Sequence, residues 1–457
     1  MNVTVKWGVR GALLLGWGGS WLIPTDIPMI LIFSIYVWSL LVKTPLFFMR
    51  YLMVFFMAIG NIVGVFICEN TTIYLTELAV WSHHVGSLPL LIIGWFLFID
   101  ILSFWDSKYS VPQLQIDKNW LSVTFMGRKL DFIYLLLCGL LVIEVILSIR
   151  ILPHPFFLTG LDRFLFHKIY LNGLWDRMFY FILTCIPIVL LNMVYKKDRL
   201  SSFVFGIYLW LLFWTGEKFG GFWNILVFFG IIYSTKYINR EYASILKVMK
   251  KVSGIVIGIG IVVFLNASLL YTNNDKQNFQ DYFLQRIAQQ GQLWWRTYEL
   301  NYEGKGHVNE LGDEFNSYFA GEETYKAKYN HAIYKIMRFT TPPHIFERVI
   351  AHGNRYSSST FASAYYYFKE AGVLLYPCIG ASIFWLITYL FIYSVNHFYF
   401  VEILLSTKLL WLSYPALAMS EFNFLFSYKT FAYFFVLLLL LIVRWQYRDI
   451  GKYGSSK

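Results

Sequence analysis

Residues 86–105 read GSLPLLIIGWFLFIDILSFW, a run of twenty with a single ionisable side chain, Asp100, toward its far end. A helix needs about 20 predominantly apolar residues to cross the hydrocarbon layer of a bilayer. In hydrocarbon every backbone N–H and C=O must find its partner within the chain, so a spanning segment is a helix or part of a closed barrel. Barrel strands alternate apolar and polar positions, and this stretch does not. It therefore predicts a membrane helix.

Working outward, comparable runs lie at 8–23, 27–43, 49–68, 131–151, 177–195, 201–216, 219–235, 253–272, 371–393, 397–418 and 425–444, twelve in all with 86–105. The whole composition agrees, at 58% hydrophobic and 14% charged, too apolar for a domain whose surface meets water. The expected fold is an all-α polytopic integral membrane protein. Lys6 and Arg10 precede an apolar stretch, but no small-residue cleavage site stands out before the next run, so the first run is expected to be retained as a helix.

The formal net charge of +11 does not describe a nucleic-acid face, because the basic residues are scattered through short connections. Twenty of them, including Lys43, Arg50, Lys108, Lys197, Lys236 and Arg444, fall on one side of the alternating runs, and about six fall in the short connections opposite. The positive-inside rule then puts both termini in the cytoplasm. Residues 1–272 are expected to hold nine spans with short loops, 273–370 one large extracytoplasmic loop, and 371–457 three more spans and a cytoplasmic tail. The four cysteines, Cys68, Cys138, Cys185 and Cys378, sit in apolar runs at unrelated spacings, which indicates neither a disulfide framework nor a thiolate metal site.

The large loop reads as helical. Phe279, Phe283, Ile287, Leu293 and Trp294 recur at helical spacing, Thr324 to Arg338 forms a second stretch, Pro342-Pro343 breaks it, and His344 to Ala351 makes a short third one. A second outer segment, 152–176, is rich in aromatics between charges, as an interfacial or re-entrant helix would be.

Candidate chemistry lies where ionisable groups meet the membrane. Thr215-Gly216-Glu217-Lys218-Phe219-Gly220-Gly221 places a charged pair between glycines, and its plain alternative is a salt-bridged hairpin turn. Glu144 and Lys408 fall inside apolar runs and need partners there, Glu402 or each other, or for Lys408 a path to the interface. Residues 285–296, QRIAQQGQLWWR, read as one amphipathic helix on which Arg286 and Arg296 stand about 80° apart, able to address one groove. Guanidinium forks suit bidentate phosphate contacts and offset charge on a diphosphate leaving group, while headgroup anchoring beside Trp is the alternative use. Residues 351–360, AHGNRYSSST, and 365–372, YYYFKEAG, bring His352, Arg355, Tyr356 and Glu370 close to the next run. There is no phosphate-cradling G-x-x-x-x-G-K loop, no HExxH and no GxSxG. His83-His84 is an adjacent pair whose rings point about 100° apart on a helix and so is a poor chelator on its own.

The order of these features resembles the Wzy-type O-antigen and capsular polysaccharide repeat-unit polymerases, a family that also resembles the O-antigen ligases. The resemblance covers the whole chain as architecture and rests on three local motifs: Gly216 to Gly220, with Lys218 where Arg is commoner; Arg286 to Trp295; and Arg355 to Gly372, ending in Glu370-x-Gly372. Ligases usually carry His before that ending, where this chain has Ser359, Thr360 and Phe361. The resemblance implies a membrane glycosyltransferase of the C type, needing neither cofactor nor metal. It would transfer a glycan from undecaprenyl diphosphate, with inversion, to a sugar hydroxyl of another lipid-linked repeat unit at the outer face of a bacterial plasma membrane.

Under that resemblance Lys218, Arg286, Arg296 and Arg355 hold the diphosphate. Glu217 or Glu370 is the general base, with His352 as the alternative, and Trp294, Trp295 and Tyr356 are the aromatics set to stack on the glycan. The implied partners are the lipid-linked donor and acceptor and the bilayer, with a chain-length regulator and a flippase as further candidates. The rival function is a flippase or other transporter of the lipid-linked oligosaccharide, against which the single large outer loop in one half speaks.

Overall fold

The computed structural model describes residues 26–109, 173–197, 199–215, 220–236, 279–319, 332–351, 355–356, 360–396, 399–419 and 425–454, with the pairs 124–125 and 128–129 and the single positions 11, 169 and 254. Helices dominate. In chain order they are α1 (Ile27–Lys43), α2 (Pro45–Arg50), α3 (Leu52–Asn70), α4 (Leu88–Lys108), α5 (Gly173–Leu191) with a π-helical end at Asn192–Lys196, α6 (Arg199–Trp214) and α7 (Gly220–Lys236). The large loop contributes α8 (Phe279–Ala288), α9 (Gln292–Asn301), a 3₁₀ turn at Val308–Glu310, α10 (Leu311–Phe319), α11 (Ala332–Thr340) and α12 (Pro343–Ala351). Then follow α13 (Thr360–Asn396), α14 (Phe400–Met419) and α15 (Tyr428–Gly454). Among the described residues, strand is confined to two antiparallel pairs of two residues each, β1 (Tyr74–Leu75) with β2 (Val80–Trp81) and β3 (Thr124–Phe125) with β4 (Arg128–Lys129).

Three helices among the described residues are long and apolar enough to cross a bilayer: Leu52–Asn70, Leu88–Lys108 and Phe361–Asn396. Shorter apolar helices cover Ile27–Lys43, Thr184–Tyr195, Arg199–Leu212 and Asn224–Lys236. This is a helical membrane protein. The run quoted first is α4, and it packs side by side with α13: Phe98 stacks on Tyr376 at 6.3 Å, Trp105 stacks on Trp385 at 5.3 Å, and Trp105 Nε1 donates to Ser382 Oγ at 2.9 Å. The runs at 8–23, 131–151 and 253–272, the segment 152–168 and Glu144 fall outside the described residues, apart from Gly11 and Gly254.

α13 is two helices in one. Lys369 has φ 56° and ψ −140°, a conformation a side chain with a Cβ rarely adopts, and it bends the chain between a short N-terminal piece and the long apolar rod. The rod starts where the run at 371–393 is expected to start.

Two ends of the bundle differ. At one, Arg50 pairs with Asp106 and donates to Ser234 Oγ at 3.4 Å, Lys236 donates to the Val194 carbonyl, and Arg444 pairs with the fully buried Glu402. Glu402 is thus engaged by Arg444, while the Lys408 ammonium lies over the Trp411 ring at 4.1 Å. At the other end, α8 to α12 fold onto the ends of α3 and α13 and onto the 71–87 connection. They form a second apolar core, in which Ile67 and Leu75 meet Leu293, Trp295, Ile336 and Phe346.

Residues 285–296 are not one helix. The chain turns at Gln289–Gly291, leaving Arg286 on α8 and Arg296 on α9. The turn is forced by contact with α3, because a Cβ on Gly291 would lie 2.3 Å from Val65 N, and one on Gly64 would lie 2.6 Å from Gly291 N. Backbone meets backbone only because both residues are glycine. Asn61 Nδ2 caps the contact by donating to the Gln290 carbonyl at 2.9 Å.

Candidate functional site

The loop end gathers its charged groups around α9. Both tryptophans of that helix point into the body: Trp294 Nε1 donates to the Ser87 carbonyl at 3.2 Å, and Trp295 Nε1 to the His83 carbonyl at 2.9 Å. They are 2% and 0% exposed, so they seat the loop on the 82–87 turn rather than offer a free face to a sugar. Tyr356 is also buried, its hydroxyl donating to the Glu77 carbonyl at 2.6 Å, and burial pushes that hydroxyl up to about 12.

One helical step on, Arg296 pairs with Glu299, whose other oxygen is 3.2 Å from His83 Nε2. Arg296 Nε is buried and has no hydrogen-bond partner among the described residues. A buried, unsatisfied guanidinium N–H costs free energy until an acceptor arrives.

Toward the end of α9, Tyr298 stacks on Tyr365 at 5.1 Å, and the Tyr365 hydroxyl donates to Glu370 Oε1 at 3.4 Å. Lys369, at the bend of α13, donates to the carbonyls of Asn301 and Tyr302, the latter at 2.9 Å. Asn301 Nδ2 reaches back to the Tyr366 carbonyl at 3.3 Å. The strained backbone at Lys369 is therefore held from both sides. The Tyr298 phenol is pushed above its ordinary value by burial first, and then by the charges of Tyr302, Glu370 and Glu69. Two carboxylates from different helices lie within electrostatic reach of one ring.

Glu69 ends α3. Its Oε1 accepts from both the backbone N–H and the hydroxyl of Ser87, each at 2.6 Å. Oε2 lies 3.5 Å from His84 Nδ1 and faces Asp26, the residue that opens α1. Beneath these carboxylates an apolar groove runs between α1 and α3, lined by Ile27, Ile30, Leu31, Ile62, Val63 and Phe66.

Of the residues singled out in the sequence, the structure brings Arg296 and Glu370 to this rim, linked through α9. Arg286 stands apart on α8, donating to Gln289 Oε1 at 2.9 Å and acting electrostatically on Glu77. Burial raises Glu77 to about 7, against the hydrogen bond from Gln292 and the charge of Arg286. Arg355 is exposed next to Tyr356. Glu217, Lys218 and His352 lie outside the described residues. Asp26, Glu69, His84, Glu299 and Lys369 were not visible as a group. The usable signal was that Asp26 and Glu69 each abut an apolar run at its edge on the loop side.

Residues 326–434 match a family of unknown function (DUF6418), a segment that holds Tyr365, Lys369 and Glu370 but neither Glu69 nor Arg296. No curated protein and no solved structure matches the chain.

Proposed function

We propose that this chain is a Wzy-type polymerase, a membrane glycosyltransferase that extends a glycan carried on undecaprenyl diphosphate at the outer face of a bacterial plasma membrane. The observation that carries the reading is Arg296: a guanidinium held by Glu299 at the loop end of the bundle, with a buried N–H left for an acceptor. Several features support it. The apolar groove beside Asp26 and Glu69 suits a polyprenyl tail. The end opposite the loop carries Arg50, Lys236 and Arg444, the arrangement a cytoplasmic face has under the positive-inside rule. Helices fill most of the described parts of the apolar runs, as a polytopic helical bundle of the kind proposed requires.

In the proposed reaction an acceptor sugar hydroxyl attacks the anomeric carbon of the lipid-linked glycan. The C–O bond to the diphosphate breaks, and the anomeric configuration inverts. Glu370 takes the hydroxyl proton, with Glu217 and His352 as the other candidate bases. The departing undecaprenyl diphosphate keeps the bonding electron pair, and Arg296 stabilises its charge, helped by Arg286, Lys218 and Arg355. Fixed cations do this without reorganising at the moment of bond cleavage. Glycan stacking falls to exposed aromatics such as Tyr302, because Trp294 and Trp295 are committed to packing.

The test is to incubate purified protein with one lipid-linked repeat unit and no added nucleotide or metal. A ladder of polymer with release of the diphosphate carrier supports the reading. Movement of the unit across vesicles with its length unchanged would assign a transporter, and transfer to a lipid A core alone would assign a ligase.

A further inference from the structure

Asp26, Glu69 and His84 come from three separate places: the first residue before α1, the end of α3 and the turn before α4. Their ligand atoms, one from each residue, all lie within 4.8 Å of one another. Asp26 and Glu69 are 6% and 5% exposed, and Asp26 Oδ2 and Glu69 Oε2 have no hydrogen-bond partner among the described residues. These oxygens are turned toward the same point while the other oxygen of Glu69 is committed to Ser87. Two carboxylates so placed repel each other when both are ionised in a medium of low dielectric, and they are held together either by a shared proton or by positive charge brought from outside the pair. His84 supplies little such charge, because its nearest approach to Glu69 is 3.5 Å and its ring is half exposed.

We propose that Asp26, Glu69 and His84 bind one divalent transition-metal ion, of the zinc or manganese class, at the loop end of the bundle. Two carboxylate oxygens and one imidazole nitrogen make a mixed donor set that such ions accept, whereas calcium and magnesium prefer oxygen alone. The half-exposed ring leaves a route for entry and a position for water. The ion ties α1, α3 and the 82–87 turn together. That turn is also what Trp294 and Trp295 grip, so the ion seats the large loop. Its role is to position, apart from the chemistry of glycosyl transfer, and it stands whether or not that reading holds.

The experiment uses the full chain, purified in detergent and stripped with a chelator, then titrated with zinc. Bound metal is measured directly, and exposure of the loop at residues 302–305 is followed by limited proteolysis. The wild type is expected to take up one equivalent and to become protected at the loop. His84→Ala, at an exposed ring, should weaken uptake at least tenfold, since even outer-shell changes cost about 10–100-fold. Asp26→Asn, nearly isosteric, should abolish uptake while eluting as a single species. Uptake by both variants equal to the wild type would overturn the proposal. So would a wild type that takes up no zinc and shows an infrared band of a protonated carboxyl that Asp26→Asn removes, because the pair would then share a proton instead.

Discussion

The two ends of the bundle handle charge in opposite ways. At the cationic end each of the three basic side chains that define it meets an acceptor: Arg50 meets Asp106 and Ser234, Lys236 meets a carbonyl, and Arg444 meets Glu402. At the loop end, buried polar atoms of Asp26, Glu69 and Arg296 lack hydrogen-bond partners among the described residues, and Lys369 holds a backbone conformation that needs outside support. Satisfied charges build a scaffold. Unsatisfied ones, kept in place by a strained bend and by a loop clamped through two tryptophans, are where the proposed ligands would bind.

The largest effect is expected where the scaffold is cut. Arg50→Ala leaves the Asp106 side chain without its ion-pair partner and should cost about 3–5 kcal/mol, read as loss of monodisperse protein on heating in detergent. Asp106→Asn in the same chain should restore part of the loss. Arg296→Ala tests the other end: polymer should fall about 10²–10³-fold with membrane insertion and thermal stability near those of the wild type. Wild-type chain lengths from Arg296→Ala would make this guanidinium a headgroup anchor. Arg286→Ala should also abolish polymer if both arginines meet the diphosphate, and their separation onto α8 and α9 makes this the sharper of the two tests.

A smaller effect is expected at the seam between bundle and loop. Gly64→Ala puts a methyl 2.6 Å from Gly291 N and 2.8 Å from the Ile287 carbonyl, where backbone must shift. The cost should be about 1–3 kcal/mol, seen as earlier proteolysis of the loop while the bundle stays intact.

The smallest effect is on pH. Glu77 titrates near 7 when the loop is seated, against 4.5 for an ordinary glutamate. The seated form therefore binds more protons between these values, and seating weakens as pH rises through that window and levels off above it. Glu310 acts the other way: burial alone would raise it, but Lys335, Tyr366 and His307 outweigh that and hold it below its ordinary value. Its contribution is lost only as pH falls through more acidic values, so it leaves the window above 4.5 to Glu77. Protease protection of the loop should decline from pH 5 to pH 7, and Glu77→Gln should remove the decline.

Much of the scaffold was legible in the sequence because a span announces itself by length alone. The runs at 27–43, 86–105, 219–235 and 397–418 became helices within a few residues of their expected ends. The loop was legible as helices but not as a body. Its one long stretch breaks at Gly291 for a reason that lies on α3, more than two hundred residues earlier, and periodicity carries no such information. The site was half legible. Arg296 and Glu370 were identifiable as side chains suited to diphosphate and proton, whereas Asp26, Glu69 and His84 acquire meaning only when three chain segments converge. The histidine pair illustrates the limit: His83 and His84 lie outside any helix, and each finds a carboxylate from another element, Glu299 and Glu69.

The account depends on the loop end facing away from the cytosol. Single cysteines introduced as Lys305→Cys in the loop and Lys43→Cys at the cationic end, in a background without the native cysteines, can be labelled in intact cells with a membrane-impermeant maleimide. The account predicts rapid labelling of the first and labelling of the second only after the membrane is opened; the reverse pattern would place the loop in the cytosol and contradict it.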